Sequence, residues 1–421
     1  MRNRRICLVT MAHISYNPRL VKAADALAAA GCDVRVVAVN VEDEKWQVDQ
    51  SLMPEKKWKL EVVTARRTGA GRQRWLHAAF RQKACLRAAH YFPFAGCLMR
   101  ASSRYAPELA SLALREQADL FIAYKLQVLP VAARAARRWQ AKIGFDIEDF
   151  HSGMRRFDAA STPEEKWAER VEAGYLPRCE LLTAASPGVA QAVAHMCGGR
   201  RPVSVLNVCP LSERPPERPA RAAGAPLRLC WFSQMIGPDR GLEDAVRALK
   251  LLQAGRVELH LRGRCDHAAH RYLDRIISEA DVDRLAIAVH APVAPDVLVS
   301  LTAQYDVGLA LEVPISQNRI ICMNDLCTNK VFTYLMAGLG LAASALKNGA
   351  GIFDGAGFCY PSGDAAALAA GLQRWLDNPD ALQRAKDKAW ELASTRYNWE
   401  FEQKIFLSEV ERVLCGPQST F

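Results

Sequence analysis

R-I-C-L-V-T at residues 5–10, N-P-R-L-V-K-A-A-D-A-L-A-A-A at 17–30, Gly31, and V-R-V-V-A-V at 34–39 make up the stretch that decides the fold. The first run is apolar after Arg5, as expected of a strand buried on both faces. In the second, Leu20, Ala23, Ala24 and Leu27 recur at helical spacing, and Gly31 supplies a left-handed stop. The third run is another apolar strand. Strand, helix and strand in that order form a β-α-β unit, the opening of a parallel doubly wound sheet.

The same pattern extends outward. Residues 118–123 and 142–147 read as later strands of that sheet, with a helix at 130–139 between them, and 181–185 and 203–206 continue it. Residues 210–226 then hold five prolines and nothing periodic, which reads as a linker. Beyond it the pattern restarts with a strand at 227–232, a helix at 242–252 and a strand at 257–261. Further strands are expected at 286–289, 307–311 and 341–344. The fold class is therefore α/β, with two doubly wound Rossmann-like domains facing a cleft. The first is expected at 1–209 and the second at 227–398, joined by 210–226; a last helix in 399–421 packs back on the first domain. A chain of 421 residues exceeds one ordinary core, in keeping with two domains.

Composition narrows the class. Half of the residues are hydrophobic and 24% charged, the balance of a water-soluble globular chain. Thirteen cysteines are scattered without a C-x-x-C pair, so neither a zinc site nor a disulfide framework is expected, and the chain reads as cytoplasmic. The basic start M-R-N-R-R leads into a first strand and not a signal peptide. The longest uncharged apolar stretch, 331–346, is shorter than the roughly 18 residues of a membrane span. The net charge of +10 is concentrated at 56–104, where twelve Lys and Arg face Glu61 alone. Arg66, Arg67, Arg72, Arg74, Arg81, Lys83 and Arg87 interleave there with Trp75, Phe80, Tyr91, Phe92 and Phe94. Two readings stay open: an anionic membrane surface docked through 56–104, or a solvated helical insertion. Nucleic acid is not an expected partner, because no nucleic-acid module accompanies the charge.

N-K-V-F-T-Y-L-M-A-G at 329–338 reads as a loop turning into a helix, with Asn329 as cap and Gly338 as left-handed stop. The amides of Lys330 and Val331 at its start could seat a diphosphate. In order along the chain come N-P-R-L-V-K-A-A-D-A-L at 17, F-D-I-E-D-F-H at 145, L-T-A-A-S-P-G at 182, V-S-V-L-N-V at 203 and F-S-Q-M-I-G-P-D-R-G-L-E at 232. Together with Asp325 and the 329–338 run, this series resembles the GT-B glycosyltransferases of the large retaining family 4 (glycosyl transferase group 1), over most of the chain.

The resemblance implies an acceptor-binding first domain and a nucleotide-sugar-binding second domain. It implies transfer of a sugar from a UDP- or GDP-linked donor to a glycan or lipid-linked acceptor, without cofactor or metal, in cell-surface polysaccharide or glycolipid synthesis. It further implies a peripheral place on the inner face of the cell membrane. The family's diphosphate-neutralising arginine and lysine fall on Gln234 and Arg240, and its paired acids on Asp325 and Thr333. Arg240 keeps the charge and adds reach to phosphate oxygens, whereas Gln234 can only hydrogen-bond. Thr333 replaces a carboxylate with one hydroxyl at the ribose end. For the residues taken alone, a solvated turn at Arg240 and a turn-forming Asp325 remain alternatives.

In the first domain Asp146, Glu148, Asp149 and His151 follow an apolar strand. His151, titrating near neutrality, suits a base beside the acceptor hydroxyl, with Asp149 and Glu148 around it. Ser15 and Tyr16 stand where many members carry a glycine pair, and Arg19 either approaches a phosphate or covers the helix start. Gln234 and Thr333 also support a different function: a catalytically weakened GT-B nucleotide-binding or scaffold protein. A GT-B epimerase is disfavoured by the order of the motifs.

Overall fold

The structure, a computed structural model, describes residues 1–64, 72–91, 95–219, 221–222, 224–253, 255–326, 328–346 and 355–416. They divide into two units, Met1–Val205 with Gln403–Phe421, and Leu206–Glu402. Each is built on a parallel sheet.

The first sheet contains β1 (Arg5–Thr10), β2 (Asp33–Asn40), β3 (Lys59–Thr64), β4 (Leu120–Tyr124), β5 (Lys142–Ile147), β6 (Leu181–Ala184) and β7 (Val203–Ser204), in the order β3-β2-β1-β4-β5-β6-β7. The strand order reverses between β1 and β4, the switch point of a doubly wound sheet. β1 and β4 are buried almost throughout, which is why they are continuous apolar runs and not alternating ones. The first helix, Pro18–Ala29, begins as the sequence suggests: Asn17 accepts a hydrogen bond from the Leu20 amide (3.2 Å) and Pro18 occupies the first turn. Gly31 has a φ of +87°.

The second sheet contains β8 (Leu227–Met235), β9 (Val257–Arg264), β10 (Ile287–His290), β11 (Val307–Ala310), β12 (Gly340–Ala345) and β13 (Gly357–Pro361), in the order β10-β9-β8-β11-β12-β13. Leu229, Trp231, Leu259, Leu261, Leu309 and Leu372 lie in its core. β8 continues to Met235 with an irregularity between Phe232 and Met235, so Gln234 lies on a strand end and not in the expected loop.

Several elements differ from the sequence reading. β3 was not anticipated, because K-L-E-V-V-T is a short, partly charged strand at the sheet edge. Its presence divides the basic segment, which is strand at 59–64 and helix only from Arg72–Tyr91 onward. Arg66, Arg67, Phe92 and Phe94 lie outside the described residues, as do the side chains of Arg72, Arg74 and Tyr91.

The proline-rich stretch after residue 209 is fastened to the second unit. Glu400 accepts from the Leu211 amide (3.0 Å), the Arg214 guanidinium stacks 3.5 Å from the Trp390 ring centroid, and Arg218 pairs with Asp387 (2.5 Å). The last helix, Trp399–Cys415, belongs to the first unit from Gln403 onward, and Glu411 pairs there with the Met1 amino group. Among the described residues no helix is long and apolar enough to cross a membrane, and the described cysteines are free.

Helix Asn329–Ala337 is set by one close approach. A Cβ on Gly308, in β11, would lie 2.2 Å from the Tyr334 ring, and the Tyr334 hydroxyl donates to the Leu309 carbonyl (3.1 Å). Gly308→Ala should therefore destabilise the second unit by about 1–3 kcal/mol through overpacking. Urea unfolding followed by tryptophan fluorescence would measure this, and an unchanged midpoint would contradict the packing described.

Candidate functional site

In the second unit the residues with chemistry gather at the carboxyl end of β11. Glu312 follows the apolar run 307–311 and is 5% exposed. Its backbone is fixed by two serines: its N–H donates to Ser344 Oγ (2.6 Å), and Ser344 and Ser362 hydroxyls donate to its carbonyl (2.9 Å each). Its carboxylate is divided between two cations, Oε1 accepting from Lys330 Nζ (3.2 Å) and Oε2 from Arg319 Nη1. Arg240 belongs to the same group. Gly241, at φ +74°, brings the Arg240 loop against β11, where an added Cβ would sit 3.1 Å from Leu311 Cβ. Burial and then the neighbouring Arg319 push the Arg240 pKa down, with Glu312 and Asp239 opposing. Three cations beside two acids, Glu312 and Asp239, leave a local charge of +1, an arrangement an anion would relieve.

The helix beginning at Asn329 opens on this cluster through Lys330, its second residue. The cap is Thr328 and not Asn329. Thr328 has the extended backbone a cap requires (φ −90°, ψ 153°), whereas Asn329 is already helical. Asn329 is exposed, and its Oδ1 accepts from Asn207 Nδ2 (2.8 Å). Thr328 makes no side-chain cap, and its Oγ1 is buried without a hydrogen-bond partner among the described residues. The first amides of the helix, including Val331, thus lack intrahelical acceptors, and Thr328 gives them no capping side chain among the described residues.

The remaining donor candidates sit differently. Thr333 is 4% exposed, with its hydroxyl 3.9 Å from Cys209 Sγ. Asp325 is not a turn residue: it ends the helix Gln317–Asp325, which the sequence reading did not include, before Leu326 turns left-handed at φ +51°. Gln234 is exposed at the end of β8.

In the first unit, Arg19 is paired internally. It is 4% exposed, its Nη2 donates to Asp146 Oδ1 (2.7 Å), its Nε to Asp146 Oδ2, and its Nη1 to the Val205 carbonyl (2.7 Å). Burial works against that charge, but Asp146 outweighs it and raises the guanidinium pKa. Thr183 also donates to Asp146, so Asp146 is committed as well. Ser15 is equally internal: Asp49 Oδ1 accepts from its hydroxyl (2.6 Å) and amide (2.9 Å), while Asp49 Oδ2 meets His13 Nδ1 (2.7 Å).

Glu148, Asp149 and His151 do lie together beyond β5. Glu148 is paired with Lys125, a residue the sequence reading passed over. Lys125 follows β4 directly with φ +101°, a strained backbone for any residue that carries a Cβ, of the kind found at functional sites. Burial raises the Glu148 pKa and Lys125 opposes it. Glu172 orients the following turn, accepting from the His151 (3.2 Å) and Ser152 (3.0 Å) amides. Burial pushes the His151 pKa down; Asp149 works against this and Lys125 adds to it.

Glu312 and Lys125 share a signal that was available: each is the first charged residue after a parallel strand, where open α/β sheets carry their sites. Arg319 and Thr328 had none. Among the described residues no group of three or more His, Cys, Asp and Glu side chains gathers to hold a metal ion.

No protein-family model matches the chain, and no curated protein matches it. Solved structures do. HepE from Anabaena, in complex with UDP and glucose, superposes with a TM-score of 0.66 at 14% identity, covering 97% of this chain and 100% of that one. Sucrose-phosphate synthase from Thermosynechococcus elongatus gives 0.68 at 14% identity, covering 99% and 100%. TarM from S. aureus, in a complex that includes UDP, gives 0.65 at 9% identity, covering 96% and 99%. The fold is GT-B. In GT-B terms the cationic cluster lies in the second Rossmann-like unit and His151 in the first.

The depressed His151 pKa carries a sign. The unfolded chain takes up the proton near pH 6.5 and the native chain only at lower pH. The stability His151 contributes is therefore complete above that value and lost as the pH falls through the window below it. An NMR titration should place the His151 midpoint below that of an ordinary imidazole, and Asp149→Asn should lower it further. A midpoint raised by Asp149→Asn would contradict the assigned balance.

Proposed function

We propose that this chain is a glycosyltransferase that moves a sugar from a UDP- or GDP-linked diphospho-sugar to an acceptor hydroxyl, with retention. The observation that carries the reading is the crowding of Arg240, Arg319 and Lys330 beside an uncapped helix N-terminus in a GT-B unit. Fixed cations and amides of this kind stabilise the charge that develops on a departing nucleoside diphosphate, the largest contribution in many transfer reactions. The UDP complexes of HepE and TarM support a nucleotide donor.

In the reaction, the bond between the sugar C1 and the diphosphate oxygen breaks, its electron pair staying on the diphosphate. For retention the acceptor oxygen bonds to C1 on the face the diphosphate leaves, and its proton passes to a base, the role proposed for His151 of the first unit. The depressed pKa keeps that imidazole neutral and able to accept near pH 7. Asp149 would favour the imidazolium so formed, and Glu148 with Lys125 would face the acceptor. Asp325 would support the reaction centre, Asn329 and Val331 the diphosphate, and Gln234 and Thr333 the rest of the donor. Cations and amides do the work of a metal in this reading, and no cofactor is required.

A glycan or lipid-linked acceptor in cell-surface polysaccharide or glycolipid synthesis fits a peripheral position on the inner face of the cell membrane. The basic segment would supply the contact, more narrowly than its composition suggests. Arg81 is spent on Glu108 (3.0 Å), Lys56 on Asp25 (2.7 Å), and Trp75 lies under Arg104 (4.4 Å). Leu76, Phe80 (77% exposed), Lys83 and Arg87 share the open face of helix Arg72–Tyr91 and would meet anionic lipid.

A second reading, a nucleotide-binding or scaffold protein with weakened catalysis, is favoured by Thr333, whose hydroxyl faces Cys209 inside the unit. A thermal-shift screen of UDP, GDP and their sugars tests the first reading, because a ligand at 100 times its Kd stabilises by about 2.7 kcal/mol. Stabilisation by one nucleotide series, lost in Lys330→Ala, together with turnover of its sugar, is the expected result. Binding without turnover would select the scaffold, and no shift from any nucleotide would remove both.

A further inference from the structure

We propose that Arg319 is a specificity-determining residue of the donor site: it meets the second phosphate and makes the site prefer a nucleoside diphosphate over a monophosphate. The inference rests on the donor reading above and deepens it.

Arg319 is prepared for this by its surroundings. It lies in the first turn of helix Gln317–Asp325, where the Ser316 hydroxyl accepts from its amide (3.3 Å), so its backbone is pinned. Its side chain is 26% exposed, against 12% for Lys330 and 6% for Glu312, so it is the most accessible of the three paired groups. Glu312 holds it through Nη1 alone. A guanidinium carries five N–H donors, and the rest of the fork can take phosphate oxygens without releasing Glu312.

Charge balance gives the preference its direction. Arg240 and Lys330 are balanced by Glu312 and Asp239. Arg319 therefore supplies the net positive charge that a second phosphate needs. Its repulsion with Arg240 is unfavourable, and an anion lying between the two cations offsets it. A monophosphate reaching Lys330 and the helix amides would leave Arg319 with Glu312.

The test is calorimetric titration of UDP, UMP, GDP and GMP into the full chain and into Arg319→Gln. For the series that binds, the substitution should cost the diphosphate about tenfold or more in affinity, the loss of one charged hydrogen bond. The monophosphate should change by less than about twofold, since it makes no such bond. Equal losses for both, or no loss for either, would overturn the assignment and leave Arg319 as a strut for Glu312. Should Arg319→Gln not fold, Arg319→Lys answers the same question. It keeps the charge and loses the fork, so the diphosphate alone should weaken, and an unchanged diphosphate affinity would overturn the proposal. Failure of wild type to bind any of the four nucleotides would instead overturn the donor reading and this inference with it.

Discussion

The Glu312 carboxylate, held between Lys330 and Arg319 at the carboxyl end of β11, is the contact on which the second unit's chemistry depends. A buried acid needs partners, and here they come from the starts of two successive helices. The two serines that fix its backbone come from β12 and from the turn after β13, so four elements meet at one residue. Two acids, Glu312 and Asp239, are too few for the three cations present. The remaining positive charge, with the N-terminal amides of helix Asn329–Ala337, is what turns a packing solution into a candidate anion site.

The first unit uses charge in two contrasting ways. Arg19 and Asp146 form a closed pair, nearly without solvent, with Thr183 and the Val205 carbonyl completing their hydrogen bonds. Such a pair holds helix Pro18–Ala29 to β5, and breaking it from one side would leave a buried charge. Lys125 and Glu148 form an open pair on a strained backbone, with His151 nearby and kept neutral by its burial. The first is architecture. The second has the accessibility and tension of a working site.

Much of this was legible in the chain. The β-α-β opening, Gly31 and Gly338 stand in the structure as read, because continuous apolar runs and left-handed glycines are local signals. β3 was not legible, since an edge strand needs only one buried face and the alternation of K-L-E-V-V-T stops after four residues, with no full apolar run. Asn329 was misread by one position: both Thr328 and Asn329 can cap, and only the backbone decides. The pairing of Arg19 could not be read because its partner Asp146 is 127 residues away, and pairing over that separation leaves no local trace. For the same reason the cluster of Arg240, Glu312, Arg319 and Lys330 could be guessed only in part: Arg240 and Lys330 stand in motifs, Glu312 is marked only by its place after β11, and Arg319 stands in unremarkable sequence.

A donor diphosphate bound at the start of helix Asn329–Ala337 would perturb the amides there. Amide chemical-shift mapping during titration with UDP or GDP measures this most directly. The largest saturable shifts should fall on the amides of Asn329, Lys330 and Val331, with Arg240 and Arg319 side-chain signals moving at the same midpoint. Saturable binding that leaves those three amides unmoved would contradict it.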